Sequence, residues 1–228
     1  MTGTIQERSR DVLYTCSYVP EEIILAAGFR PRRFLPGGPA TDAFIHPNTC
    51  GYVKSILAAA LDHGGVQAAG IIVANSCDAM RRLYDLWSEY VRPVPALFLD
   101  VPKKTDADSI AMFASELKGL AARLPTTLSG RAIDGASLRA ATRMCNEIRA
   151  LMGEVFSAQR SAQSDVSGTR VFDLCLADTT QATTDFAADI RRFLAEAAVE
   201  RRPARTPRIV LAGGLVNKRN VVAEIEKA

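Results

Sequence analysis

Histidine and tryptophan are scarce in this chain: two histidines and one tryptophan among 228 residues. A histidine-based triad has little to draw on, and no GxSxG nucleophile elbow is present. GxxxxGK phosphate loops and GxGxxG dinucleotide fingerprints are also missing, so the chain is not itself a P-loop ATPase. No apolar run approaches the roughly 18 residues of a membrane span; the longest, around Ala68–Ala74, is strand-sized. The first eleven residues lack the apolar centre of a signal peptide, which leads to an expectation of a cytoplasmic protein with no membrane partner. Charge of one sign is lacking too. The 28 Lys and Arg are interspersed with 25 Asp and Glu for a net +3, without the basic stripe of a nucleic-acid binder. An anionic small molecule remains compatible. Internal repeats and low-complexity segments are absent. What is present is a globular mix, 48% hydrophobic and 23% charged, with five cysteines. An odd number of cysteines in a reducing compartment points to thiols or metal ligands before disulfides.

Strand-like and helix-like stretches alternate through the first 125 residues. Val12–Tyr14 reads as a strand. Pro20-Glu21-Glu22 starts a helix, since proline suits the first helical position and carboxylates suit the positive end of the dipole. That helix continues through Ile23–Ala27 to a glycine cap at Gly28. Arg32–Leu35 reads as a second strand and Phe44–Ile45 as a short further one. A helix then spans about Tyr52–His63 and stops at Gly64-Gly65. Ala69–Ala74 is a continuous apolar run bounded by turn residues, as in a strand buried on both faces. A helix follows over Ala79–Tyr90, then a strand over Pro95–Leu99. Thr105 or Asp106 caps a long helix with Ile110, Phe113, Leu117, Leu120 and Leu124 at helical spacing.

Beyond residue 125 the pattern turns helical. Asp134 caps a helix to about Ser157, with Leu138, Ala141, Cys145, Ile148, Met152 and Val155 on one face. A polar stretch covers Gln159–Thr169, and another helix about Thr180–Ala198. Glu200–Arg208, with two prolines and four arginines, reads as a linker. Ile209–Ala212 reads as a strand, Gly213-Gly214 as a turn and Val221–Lys227 as a helix. One βα unit cannot bury both its faces; either it folds back on the first sheet or it begins a second α/β domain, and the second fits better. The expected fold is therefore α/β, a flavodoxin-like parallel sheet with helices on both faces, a helical segment, and the start of a second α/β unit. The expected divisions are 1–125, 126–199 and 200–228.

In open α/β sheets ligands bind at the carboxyl ends of the strands. Cys77, in Asn75-Ser76-Cys77-Asp78, falls there and opens a helix, where negative charge is favoured; it could equally be an inert turn cysteine. Cys50 has a similar setting after Pro47-Asn48-Thr49, although Asn48 or Thr49 could be the helix cap instead. Cys16 follows the first strand. Three loops of this kind can converge on one edge, and convergent thiolates suggest a metal or an iron–sulfur cluster. Their spacings match no compact CxxC pattern. Cys145 and Cys175 read as structural. His46 could be polar wall, base or ligand, and His63 a dipole-complementing residue. Glu21, Glu22 and Asp78 stand near the same edge, where each also suits a helix N-terminus. Gly213-Gly214 after a strand could cradle a phosphate, although a lone GG turn is weak support for that.

Taken together, several segments resemble one family. Cys16-Ser17-Tyr18-Val19-Pro20-Glu21-Glu22-Ile23-Ile24, continued by Ala26-Ala27-Gly28-Phe29-Arg30-Pro31, is similar to the opening signature of 2-hydroxyacyl-CoA dehydratase and benzoyl-CoA reductase subunits. So is Asn75-Ser76-Cys77-Asp78-Ala79-Met80-Arg81-Arg82-Leu83-Tyr84-Asp85. Phe98-Leu99-Asp100-Val101-Pro102 and Asn146-Glu147-Ile148-Arg149 follow in order, to about Gly213. The resemblance implies an oxygen-sensitive subunit carrying a 4Fe-4S cluster on three cysteines. It implies a heterodimer with a related subunit, and an ATP-dependent iron–sulfur activator that supplies a low-potential electron. In the dehydratases that electron enters the thioester carbonyl of a 2-hydroxyacyl-CoA, and the ketyl radical expels the 2-hydroxyl. In the reductases an aromatic acyl-CoA is reduced. The family's first two ligand positions fall on Cys50 and Cys77. The third ordinarily lies in the second α/β domain, of which this sequence has only Ile209–Lys227. Cys16 or a partner chain would then supply it, or the chain is an accessory subunit without full activity. Ser76, Asp78 and His46 would surround the cluster, with Glu21, His46 and Ser76 as the candidate catalytic groups.

Overall fold

The computed structural model describes residues 9–62, 66–161, 166–178, 183–197, 209–212, 215 and 218–227. It divides into two compact units, residues 1–141 and 142–228.

The first unit is a parallel α/β layer. Its strands are β1 (Asp11–Tyr14), β2 (Arg30–Arg33), β3 (Gly70–Ala74) and β4 (Ala96–Leu99), in the order β2-β1-β3-β4. This is the flavodoxin-like order with its reversal between β1 and β3. Its helices are α1 (Glu21–Ala26), α2 (Gly51–Leu61), α3 (Asp78–Tyr90) and α4 (Ala107–Leu128). Side chains alternate across a strand, so β1 and β3 feed two cores. Val12, Tyr14, Ile72 and Ala74 meet Ile24 of α1 and Leu120 and Leu124 of α4. Leu13, Ile71 and Val73 meet Val53, Ile56 and Leu57 of α2 and Leu83 and Trp87 of α3. Every residue of β3 is buried, the burial that its unbroken apolar run foretells. The Trp87 indole N–H donates to the Val94 carbonyl at 2.8 Å, so its one polar atom is satisfied inside the core.

The second strand lies two residues earlier than expected. Arg30-Pro31-Arg32-Arg33 pairs with β1 in register Val12↔Pro31. An edge strand tolerates the proline, and Asp11 holds Arg30 at 2.6 Å and Arg32 at 3.5 Å. Phe44–Ile45 is not a strand: Phe44 has φ 63°, outside extended geometry, and its ring stacks on Tyr90 at 4.6 Å. Gly28 takes φ 83° after α1, the left-handed cap that glycine supplies without steric cost. Asp106 caps α4 by accepting from the Ser109 amide at 2.9 Å. That helix runs past Leu124 to Leu128, with Pro125 inside it.

The second unit is helical. It is built from α5 (Gly135–Arg160), within which the division falls, α6 (Gly168–Asp178), α7 (Thr183–Ala197) and α8 (Arg219–Lys227). Ile148, Met152, Val155, Leu174, Phe186 and Ile190 form its core. α6 begins at the end of the expected polar stretch Gln159–Thr169 and covers Val171–Leu176, where no helix was expected; its apolar residues Val171 and Leu174 are buried at i, i+3 spacing. No described residue of α8 is buried. The helix is held by charge: Arg219 binds Asp173 through both carboxylate oxygens at 2.7 and 2.9 Å. At its other end the Glu226 carboxylate accepts from the Ser167 hydroxyl at 2.9 Å and the Thr169 amide at 3.0 Å. It also accepts from the Gly168 amide and the Thr169 hydroxyl. Ile209–Ala212, expected as a strand, has no regular secondary structure and is exposed. A strand needs a neighbour to satisfy its backbone, and none of the described residues pairs with it. His63, Gly64-Gly65, the 200–208 linker and Gly213-Gly214 lie outside the described residues.

Candidate functional site

Three cysteines flank the carboxyl edge of the sheet. Cys77 follows β3 and is the N-cap of α3, in extended geometry (φ −161°, ψ 167°). Cys50 is the N-cap of α2, so neither Asn48 nor Thr49 has that place. Both thiols are exposed and neither makes a capping hydrogen bond. Cys16 sits in the turn after β1, where its carbonyl accepts from the Val19 amide at 3.0 Å, and its side chain packs against the α1/α4 core. Cys50 and Cys77 instead open helices on the opposite face of the sheet. Among the described residues no three His, Cys, Asp or Glu side chains gather to hold a metal ion. Among the described residues the thiols therefore do not gather into a complete three-cysteine site. They are two exposed thiols on neighbouring helices and a third turned toward a different core.

Tyr52, one turn into α2, ties the β1 and β2 ends of this edge together. Its hydroxyl lies 2.8 Å from the Phe34 carbonyl and 3.1 Å from the Thr15 carbonyl, to which it donates. Burial pushes the phenol up to about 12; the Arg33 guanidinium against it pulls the other way, while nearby Cys16 and Cys50 add to the rise. Tyr52 is therefore a neutral donor at physiological pH. Arg33 is half-buried at the end of β2, and its Nε is buried without a hydrogen-bond partner. The Thr15 hydroxyl, in a residue 1% exposed, is likewise buried and unpartnered.

The β3–β4 end carries a second polar network. Asn75, 7% exposed, donates from Nδ2 to Asp100 at 2.6 Å and accepts at Oδ1 from Arg81 Nε at 3.3 Å. The same Asp100 oxygen accepts from the Val101 amide at 3.1 Å. Arg81 lies one turn into α3, its amide bonded to the Cys77 carbonyl at 3.2 Å.

The other expected site residues are scattered. Glu21 accepts from the Tyr14 hydroxyl at the start of α1. His46 is exposed; its Nδ1 accepts from the Asn48 amide at 3.1 Å. Ser76 is half-buried with its amide on the Ala74 carbonyl at 2.8 Å, and Asp78 is exposed in the first turn of α3. Asn75 and Asp100 were missed although each is the first polar residue after a buried strand, a readable signal. Thr15, Arg33 and Tyr52 meet only through tertiary structure and left no such trace. A concavity at the opposite, amino edge, bordered by Arg10, Phe29, Leu128 and Arg131, faces away from all three cysteines.

Comparison with known proteins bears on this edge. The family model described as 2-hydroxyglutaryl-CoA dehydratase, D-component, matches residues 16–228. The chain is 28% identical over 233 aligned positions to a subunit of the benzoyl-CoA reductase of Thauera aromatica. That alignment covers 96% of this chain and 59% of the relative, so the chain spans less than two thirds of the length of the curated protein it matches.

Proposed function

We propose, from the premise that the chain belongs to the 2-hydroxyglutaryl-CoA dehydratase D-component family, that it is an iron–sulfur subunit of an enzyme acting on coenzyme A thioesters. The reaction is loss of the 2-hydroxyl of a 2-hydroxyacyl-CoA by a radical route; reduction of an aromatic acyl-CoA is the alternative that the benzoyl-CoA reductase relative supports. The observation that carries the reading is the pair Cys50 and Cys77, exposed N-caps of helices on the same face of the sheet, at its carboxyl edge. In this reading they give two thiolates to a 4Fe-4S cluster, and a further donor comes from outside this pair. A related subunit and an ATP-dependent iron–sulfur activator complete the system.

The chain's own groups have separable tasks. The helix N-termini at Cys50 and Cys77 favour negative charge through their dipoles and free amides. Tyr52, as a neutral phenol, fixes the start of α2 against the ends of β1 and β2 and so fixes Cys50. Asn75 and Asp100 stiffen the turn that leads into Cys77.

Anaerobic reconstitution with iron and sulfide tests the reading. The wild-type chain is expected to bind iron and acid-labile sulfide, and Cys50→Ser and Cys77→Ser each to lose it, while Cys145→Ser keeps it. Iron bound equally by all four chains would overturn the ligand assignment. No iron in any of them would favour a second reading, an accessory subunit pairing with a longer paralogue, which the absence of a three-donor group among the described residues supports.

A further inference from the structure

We infer that the concavity at the amino edge of the sheet is a second ligand site, a receptor for a small molecule with two anionic oxygen groups, phosphate or carboxylate, held by Arg10 and Arg131. It lies opposite the edge that carries the cysteines and does not depend on the acyl-CoA reading.

Three observations carry it. The first is a hollow built wholly within the first unit. Its volume is about 1120 Å³, ample for a small molecule. The residues before β1, the turn from α1 to β2, the loops leading into β3 and β4, and the end of α4 form its walls. The second is its charge. Arg10 and Arg131 are the only charged residues that line it, alongside the hydroxyl and amide groups of Ser9, Gln67, Thr127 and Ser129. The carboxylates near them in sequence are engaged elsewhere: Asp11 by Arg30 and Arg32, and Asp134 by the Ser137 amide at 2.7 Å. Among the described residues neither Arg10 nor Arg131 has a carboxylate within ion-pair distance. The third is strain. Ser129, the C-cap of α4, takes φ 60° and ψ 42°, the left-handed region where glycine is ordinary. A side chain is disfavoured there, and this one places a hydroxyl on the wall of the hollow.

The two arginines are rooted on one turn. The Arg10 carbonyl accepts from the Arg30 amide at 2.8 Å, and the Arg131 amide donates to the Ala27 carbonyl at 2.9 Å. From Ala27 to Arg30 the chain spans at most about 11 Å, so two long side chains from these roots can meet one ligand. Arg131 Nη2 also donates to the Ala26 carbonyl at 3.3 Å. That bond answers a carbonyl at the end of α1 that would otherwise repel an anion, and it orients the guanidinium in advance. Gly130 keeps this wall close: a Cβ there would stand 2.4 Å from the Phe29 ring. Groups ordered before the ligand arrives lose less freedom on binding. The guanidinium fork suits phosphate and carboxylate alike, so the shared chemistry is anionic oxygen, and two probes separate its sources.

The test is isothermal titration of the 228-residue chain at constant ionic strength with pyrophosphate and with malonate; neutral malonamide is the control. The chain is expected to bind one or both anions and not malonamide. Pyrophosphate alone assigns the hollow to phosphate, and malonate alone to carboxylate. Arg10→Gln and Arg131→Gln are each expected to weaken binding about tenfold or more, the worth of a charge-assisted hydrogen bond. Arg10→Gln is the cleaner variant, since among the described residues the Arg10 side chain makes no hydrogen bond or ion pair. Ser129→Gly separates recognition from folding: it should leave the melting temperature unchanged or higher while weakening the anion severalfold. A fall in melting temperature with binding intact would overturn the part given to Ser129. A wild-type chain that binds neither anion, or binding that Arg10→Gln leaves unchanged, would overturn the two-point site. Neither result bears on Cys50 and Cys77.

Discussion

Cys77→Ser is expected to stabilise the iron-free chain while abolishing its iron binding. Cys77 already has the extended backbone of an N-cap, yet its thiol makes no capping hydrogen bond. A serine hydroxyl in that geometry accepts from an amide in the first turn, and a good N-cap is worth about 1 kcal/mol over a residue that does not cap. For a folding unit of this size, that gain raises the melting temperature by roughly 3 °C. The assay is built in: Trp87 is the single tryptophan, it is fully buried in the α2/α3 core of the first unit, and its fluorescence follows that unit. Cys145→Ser is the control for iron binding; Cys145 is 4% exposed and lies in the second unit, so the cost of burying its hydroxyl, about 1–3 kcal/mol, is read by far-ultraviolet circular dichroism and not by Trp87. A serine that weakens the fold at residue 77 would refute the reasoning, because the thiol would then be contributing to packing. Stability up and iron down identifies a cysteine whose place at a helix start is better explained by chemistry than by capping.

The charge clamp on α8 and a close approach near β2 give two further tests. Burial pushes the Glu226 carboxyl up, but hydrogen bonds from Thr169, Ser167 and Gly168 outweigh it and leave the group below its ordinary value. A carboxylate held low in the folded state contributes stability above its unfolded pKa and loses it as pH falls through the folded one. The protection of the amides over residues 219–227, taken against their intrinsic exchange rate at each pH, should therefore fall below the ordinary carboxylate range, and Glu226→Gln should lower it at neutral pH; protection insensitive to both would contradict the clamp. Gly130→Ala would put a Cβ 2.4 Å from the Phe29 ring and 3.0 Å from the Ala27 carbonyl. Such overpacking costs about 1–3 kcal/mol, read as an earlier tryptophan transition; an unchanged midpoint would show that the ring yields.

Much of the first unit was legible because its signals are local. The run Gly70–Ala74 announces a doubly buried strand, and Cys77 and Asp106 stand where helix starts belong. The second strand was misplaced because Arg30-Pro31-Arg32-Arg33 has no apolar pattern; it forms through Asp11 and pairing with β1. Ile209–Ala212 reads as a strand by composition, but strand propensity describes a fit to neighbours, and no described neighbour pairs with it. At the site, the cysteines could be singled out as residues following strands or opening helices. Their failure to gather could not, because it depends on which core Cys16 packs against. Tyr52, whose hydroxyl links the ends of two strands to α2, belongs to the same class of tertiary fact.

The central claim is that Cys50 and Cys77 are paired for metal chemistry at the carboxyl edge. Alkylation of each cysteine, read by peptide mass spectrometry before and after anaerobic reconstitution with iron and sulfide, tests it most directly. Before reconstitution the exposed Cys50 and Cys77 should react quickly and the buried Cys145 slowly. Afterwards Cys50 and Cys77 should be protected together, in step with the iron bound, while Cys145 is unchanged. Reactivity retained at either Cys50 or Cys77 in an iron-loaded chain would contradict the account.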